Sequence, residues 1–197
     1  MKNLIYTSLA LIVIWFFFFR EEPKVVLSPG VKAVEDPVQV DTETIPSIKF
    51  GKYQIKPQAE FSLHGKILSK KYYNDDSADL TSVDLAMGWG RMSDEKVLES
   101  IEISQSGRWY RWNANPFPIP RREIETHSAN MHIIAADNQV RDMIERAPAG
   151  SIVRFKGYLV RAEKDDGWFW QSSLTRDDTG GGACELVYVK DFYVVEE

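Results

Sequence analysis

The chain is poor in thiols. Its one cysteine, Cys184, excludes an intramolecular disulfide framework and any zinc site built from several thiolates. Histidine is scarce as well, limited to His64, His127 and His132. A basic excess is also lacking: 24 Lys and Arg stand against 29 Asp and Glu, for a net charge of −5 and a pI near 5.3. That balance argues against nucleic-acid binding through bulk charge, although a local basic stripe is compatible with it. At 197 residues, 44% hydrophobic and 27% charged, the chain is neither a disordered polymer nor a polytopic membrane protein. No internal repeat stands out.

One long apolar run is present. Leu4 to Phe19 reads LIYTSLALIVIWFFFF without a charge; at 1.5 Å per residue it covers about 24 Å, close to a bilayer core. No small-residue cleavage site follows it, only Arg20, Glu21, Glu22 and Pro23. Residues 1–19 are therefore expected to form an uncleaved transmembrane anchor. Lys2 on one side nearly balances Arg20 and Lys24 on the other. For a bacterial source, the terminal position and two-residue head favour the N-terminus inside, so a single-pass inner-membrane protein with its domain in the periplasm is the expected placement. Residues 20–48, punctuated by Pro23, Pro29, Pro37 and Pro46, read as a linker.

Residues 49–197 read as one β-rich domain with one main helix. Phe61 to Tyr73 alternates as a strand, with Phe61, Leu63, Gly65 and Ile67 on one face. Val83 to Met92 is a second strand, where Gly88 and Gly90 mark a bulge or close backbone approach. Ser93 is placed to cap a short helix. Arg108 to Trp112 reads as a further strand, and Pro116 to Pro120 as an ordered loop. Met131 to Ala135 is a short strand; Asp137 caps a helix whose Val140, Ile144 and Ala147 share a face, stopped by Pro148 and Gly150. Ser151 to Val160 alternates again, Asp165-Asp166-Gly167 signals a hairpin, and Trp168 to Leu174 and Cys184 to Val195 supply closing strands. The order suits a small closed β-barrel of OB-like type.

Two segments, His127–His132 (HSANMH) and Trp170–Glu185 (WQSSLTRDDTGGGACE), resemble a family of uncharacterised membrane-anchored bacterial proteins over most of 60–190. The resemblance implies a bacterial envelope setting and supplies no activity, cofactor or site residue.

Chemistry-bearing residues gather in the same segments. The loop Thr175 to Glu185 sets Gly180, Gly181 and Gly182 beside Arg176, Asp177 and Cys184. It lacks the Lys-Ser/Thr ending and following helix of a P-loop, so it reads as a flexible excursion or as a loop a ligand approaches closely. Cys184 is a candidate nucleophile with His127 or His132 as base, and Cys184 or Ser173 with His127 and Asp177 is the fuller constellation. Against that, Cys184 opens an alternating strand with Leu186 and Tyr188, as a small core residue would. His127 and His132 are five apart, a spacing that neither a strand nor a helix presents on one face, so no metal and no cofactor is assigned. His127, Ser128, Asn130 and His132 on one loop, and Trp168, Trp170, Ser172, Arg176 and Glu185 on the other, form the expected binding set. Trp168 and Trp170 share a sheet face, whereas Trp109 and Trp112 do not; Arg108, Arg111, Arg154 and Lys156 are placed to line such surfaces.

The leading expectation is a membrane-tethered, extracytoplasmic binding or assembly module that recognises a protein partner or an envelope component, with nucleic acid not expected. Whether the chain turns over a substrate stays open, and the lack of a visible matched acid–base pair weighs against it. The alternative is a cysteine- or serine-dependent hydrolase or transferase of the envelope. A second alternative is an OB-like binder of single-stranded nucleic acid, for which steep salt dependence is the discriminating observation.

Overall fold

Three apolar layers organise the chain: a barrel-like interior and two covers on its outside. The structure is a computed structural model describing residues 24–42, 44–175 and 183–195. The described residues are mainly β with few helices. The expected anchor at 4–19 lies outside them. Among the described residues no helix is long and apolar enough to cross a membrane.

Strands β1 (Val38–Asp41) and β2 (Ile48–Phe50) precede the longest one, β3 (Tyr53–Tyr72). Next come β4 (Val83–Gly88), a 3₁₀ turn at Gly90–Ser93 and a short helix α1 (Glu95–Leu98). A hairpin of β5 (Glu102–Ser106) and β6 (Trp109–Asn113) leads to helix α2 (Arg121–Thr126). The chain closes with β7 (Ser128–Ala135), helix α3 (Asn138–Arg146), β8 (Ile152–Glu163), β9 (Phe169–Gln171) and β10 (Glu185–Val194).

Pairing runs from β3 to β4, β4 to β7, β7 to β10 and β10 to β8, and β8 returns to β3. Only β7–β10 in this ring is parallel. β3 pairs with both β4 and β8 of the ring, and with β1 and β2 besides, because it is 20 residues long; its register shifts at Pro57/Ala59 against β8 and at Ile67/Ser69 against β4. Pro57 has no N–H to give a ladder, so an irregularity beside it is where a mid-strand proline fits. Phe61, Leu63 and Ile67 of β3, Leu85 and Met87 of β4, Met131 and Ile133 of β7, Val153 and Phe155 of β8 and Val187 and Val189 of β10 pack together inside. The strict alternation of these strands dictates that choice of face. Gly157 lets β8 approach β10: a Cβ there would overlap the Tyr188 carbonyl oxygen and lie 2.9 Å from its carbonyl carbon.

α3 covers one end of the interior with Val140 and Ile144, and Asp137 caps it by accepting from the Val140 N–H at 2.8 Å. The second layer lies outside β7, β10 and β8, where Leu186, Tyr188, Val160 and Ile134 are covered by Trp168 and Trp170. The third lies outside β4, where Ala86 and Leu68 meet Met92, Ile101, Ile119 and Ile124 of the long 89–127 insertion.

Several expectations are corrected. Residues 24–42 do not stand off as a spacer. The Val25 N–H donates to Ala149 O at 2.8 Å, the Gly30 N–H donates to Asp94 Oδ1 at 2.8 Å, Ala33 is fully buried, and β1 pairs with β3. Ser93 is not the cap of α1; Asp94 is, while Ser93 Oγ accepts from the Lys32 and Ala33 N–H groups, both at 3.0 Å. A hydroxyl flanked by a returning strap finds two donors there that a helix start would not offer.

Candidate functional site

The outer faces of β4 and β7 carry polar side chains between the two covering layers, and alternation puts them there. With Val83, Leu85, Met131 and Ile133 inward, Asp84, Asn130 and His132 point outward into a dry seam. Asp84 is 0% and His132 2% exposed, and His132 Nδ1 lies 2.9 Å from Asp84 Oδ1. The His132 ring packs on Trp170 with centroids 4.5 Å apart. Asn130 Oδ1 accepts from Gln105 Nε2 at 2.7 Å; its Nδ2 donates to Arg108 O at 3.3 Å and stands 4.0 Å from Cys184 Sγ.

Arg108, at the tip of the β5–β6 hairpin, closes the seam. Its Nη1 donates to Asp84 Oδ1 at 2.9 Å, its Nη2 to Thr81 O and Asp75 Oδ1 at 2.8 Å, and its Nε to Asp75 Oδ2 at 2.8 Å. The guanidinium lies 4.2 Å from the Tyr73 ring centroid. Burial opposes its charge, yet Asp75 and Asp84 outweigh burial and hold its pKa above the ordinary value. The bond from Arg108 holds the Asp75 carboxyl below its usual range, and burial pushes Tyr73 up. Tyr110, half-buried on β6 of the same hairpin, is pushed up to about 12 by desolvation. Chemically the seam is an ionic network closed by Arg108, in which the buried His132 Nδ1 and Gln105 Oε1 make no hydrogen bond of good geometry, so the 2.9 Å approach of His132 to Asp84 is an electrostatic contact.

The residues expected from sequence divide among three places. Asn130, His132, Trp170 and the half-buried Cys184 converge on the seam. His127 and Ser128 do not. His127 Nδ1 is 3.0 Å from Thr126 Oγ1 and 3.2 Å from Glu123 O, its Nε2 is 3.7 Å from Asp36 Oδ1, and its ring faces Trp89. Ser128 Oγ donates to Ile124 O at 2.7 Å, ending α2. His127 is thus a positioning group under the strap, and the proposed pairing of it with Cys184 or Ser173 is corrected. Ser172 and Ser173 brace the backbone: Ser172 Oγ accepts from the Leu186 N–H at 3.1 Å, and Ser173 Oγ from the Thr175 N–H at 3.1 Å. Trp168 packs on Tyr53 at 5.6 Å, and Glu185 is buried beside Met131 at the start of β10. Arg176 and Asp177 lie outside the described residues. Among the described residues, no group of three or more His, Cys, Asp and Glu is arranged to hold a metal. Asp84 went unselected, although a lone carboxylate inside VDLAM is a readable signal: alternation points it away from the interior, where it needs a cation.

A second feature is open to solvent. With Phe155 and Leu159 inward, β8 presents Arg154, Lys156 and Tyr158 outward, and β10 presents Lys190, Asp191 and Tyr193 beside them. Lys190 Nζ donates to Tyr158 Oη at 3.2 Å, which raises the Lys190 pKa. Arg154 Nη2 lies 3.3 Å from His64 Nδ1 on β3. Burial, then Arg154, lowers the His64 pKa, so the neutral imidazole accepts from the guanidinium. Grooves of about 320 and 410 Å3 flank this strip, one against Val38 and Val40 of β1, the other against Val140 and Met143 of α3, and Lys156 and Lys190 border both.

No protein-family model matches the chain, and neither does any curated protein. Among solved structures, the chain is similar to the mitochondrial single-stranded DNA-binding protein Rim1 of S. cerevisiae. The identity is 16%, over 70% of this chain and 94% of that one, with a TM-score of 0.28. The leading expectation, a module for protein or envelope recognition with nucleic acid not expected, is corrected by the solvent-open face of β8 and β10, which carries three cations on a chain that is acidic overall. The physical error lay in judging by net charge, a whole-chain sum that conceals Arg154, Lys156 and Lys190 on one face.

Proposed function

We propose that this chain is an OB-like barrel that binds single-stranded nucleic acid across the outer face of β8 and β10. The ring of pairings supports the OB-like reading: five strands, one parallel contact, and a helix between the third and fourth ring strands. Barrels of that type use the face of their second and third strands. Here that face, on β4 and β7, is covered by the hairpin and by Trp170, which leaves β8 and β10 as the open outer surface.

The observation that carries the proposal is the alternation of cations with tyrosines on one face. Arg154, Lys156 and Lys190 are exposed and spaced to follow a phosphate backbone, while Tyr158 and the 48%-exposed Tyr193 offer rings on which bases stack. Three phosphate contacts on a single strand correspond to a slope of about −2 in log affinity against log salt. Asp191 and Glu60 border the strip and weaken it, so low salt is the informative condition.

The test is fluorescence anisotropy with labelled single-stranded DNA and RNA oligonucleotides between 50 and 200 mM salt. Binding with a slope near −2, lost in the Lys156→Glu/Lys190→Glu variant at unchanged melting temperature, is the expected result. Undiminished binding in that variant, or no binding at 50 mM salt, sinks the proposal.

A further inference from the structure

Arg108 sits against the preference of its own turn. Gly107 and Arg108 join β5 to β6 with φ of 57° and 67°, and Arg108 is the one non-glycine residue with positive φ among the described residues. Tight hairpin turns of this kind favour asparagine and glycine, because a side chain in the left-handed region crowds its own backbone. Such strain persists only where the surroundings over-determine it.

The surroundings here are a receptor for a guanidinium. Tyr73, Asp75, Thr81 and Asp84 all come from the end of β3, the following loop and β4, and Trp170 adds a second ring 5.9 Å from the guanidinium. Asp75 grips the fork in two parallel bonds, Asp84 takes a third and the Thr81 carbonyl a fourth. Two parallel bonds to one carboxylate with a flat face on a ring are demands an ammonium cannot meet. The ligand is delivered by a different element. β5 and β6 pair only with each other, in a two-stranded sheet apart from the ring.

We propose that Tyr73, Asp75, Thr81, Asp84 and Trp170 form a guanidinium-binding site in which Arg108 is a tethered, displaceable occupant. The β5–β6 hairpin is then a latch over the outer face of β4 and β7. Withdrawal of Arg108 frees the site for the guanidinium of another molecule and uncovers Asn130, whose amide bonds to the Arg108 carbonyl and to Gln105 hold it under the hairpin. This inference does not depend on nucleic-acid binding by β8 and β10.

The experiment removes the tethered ligand from the full chain and offers a free one. In Arg108→Ala, which removes all four guanidinium bonds, amide exchange protection over 102–113 is expected to fall about tenfold or more, the loss that even one charge-assisted bond would give. Millimolar methylguanidinium then raises the melting temperature of the variant saturably, leaves the parent chain unaffected, and is not mimicked by methylammonium. Should Arg108→Ala fail to fold, Arg108→Lys keeps the charge without the fork and takes the same titration. Unchanged hairpin protection, no saturable response in either variant, or an equal response to methylammonium overturns the proposal.

Discussion

Replacing Asp84 by asparagine tests whether the seam is dry, because Asp75 provides an internal control on the same arginine. Both carboxylates bond the Arg108 guanidinium, but the Asp84 side chain is 0% exposed and that of Asp75 44%. Asp84→Asn keeps the shape and removes the charge, leaving one face of a buried guanidinium and His132 Nδ1, 2.9 Å away, facing a neutral amide. Breaking a buried ion pair from one side costs about 3–5 kcal/mol. Since Arg108 retains Asp75, the lower end, about 3 kcal/mol, applies here. At Asp75 water replaces most of what is lost, so Asp75→Asn costs under about 1 kcal/mol. With a urea m-value of about 2 kcal/mol/M, the midpoint followed by tryptophan fluorescence drops by about 1.5 M for Asp84→Asn and by under about 0.5 M for Asp75→Asn. Equal shifts, or a larger one for Asp75→Asn, refute the dry seam.

Gly157→Ala is expected to cost about 3 kcal/mol, because the new methyl meets the Tyr188 backbone carbonyl, which cannot swing away as a side chain can. Calorimetry should record a fall of roughly 6–12 °C for a domain of this size; a fall under about 2 °C means that β8 and β10 are less tightly apposed than described. Acid should loosen the hairpin before the main sheet. The Arg108 bond depresses the Asp75 pKa in the folded state, so its contribution is present above the unfolded-state value and is lost as pH falls through and below about 4. Hydrogen exchange across pH should find protection over 102–113 flat above pH 5 and falling below about pH 4, with that fall absent in Arg108→Ala; protection undiminished at pH 3 contradicts the assignment.

The legible parts of the chain are those in which one local pattern settles the outcome. Asp137 followed by Val140 and Ile144 reads as a capped amphipathic helix, and it is one. The alternation of Phe61, Leu63 and Ile67, and of Val153, Phe155 and Leu159, identifies the buried faces correctly. β1 escaped notice because an edge strand with exposed Val38 and Val40 carries no alternation of burial, and its evidence is a ladder to β3. The β5–β6 hairpin escaped because Gly107-Arg108 is not a hairpin dipeptide; the contacts of Arg108 make the turn, not its propensity.

The functional residues divide by the same rule. Period 2, a property of any strand, already puts Arg154, Lys156 and Tyr158 on one face, whereas Asn130 and His132, expected on a loop, share a face because β7 begins at Ser128. Tertiary pairing alone brings Asp84 to His132, carries Arg108 back 24 residues to Asp84, and lets Lys190 complete the row begun by Lys156. Those juxtapositions depend on register between strands distant along the chain. Register is fixed by packing the whole interior at once, where a slip of one residue would turn every apolar side chain out.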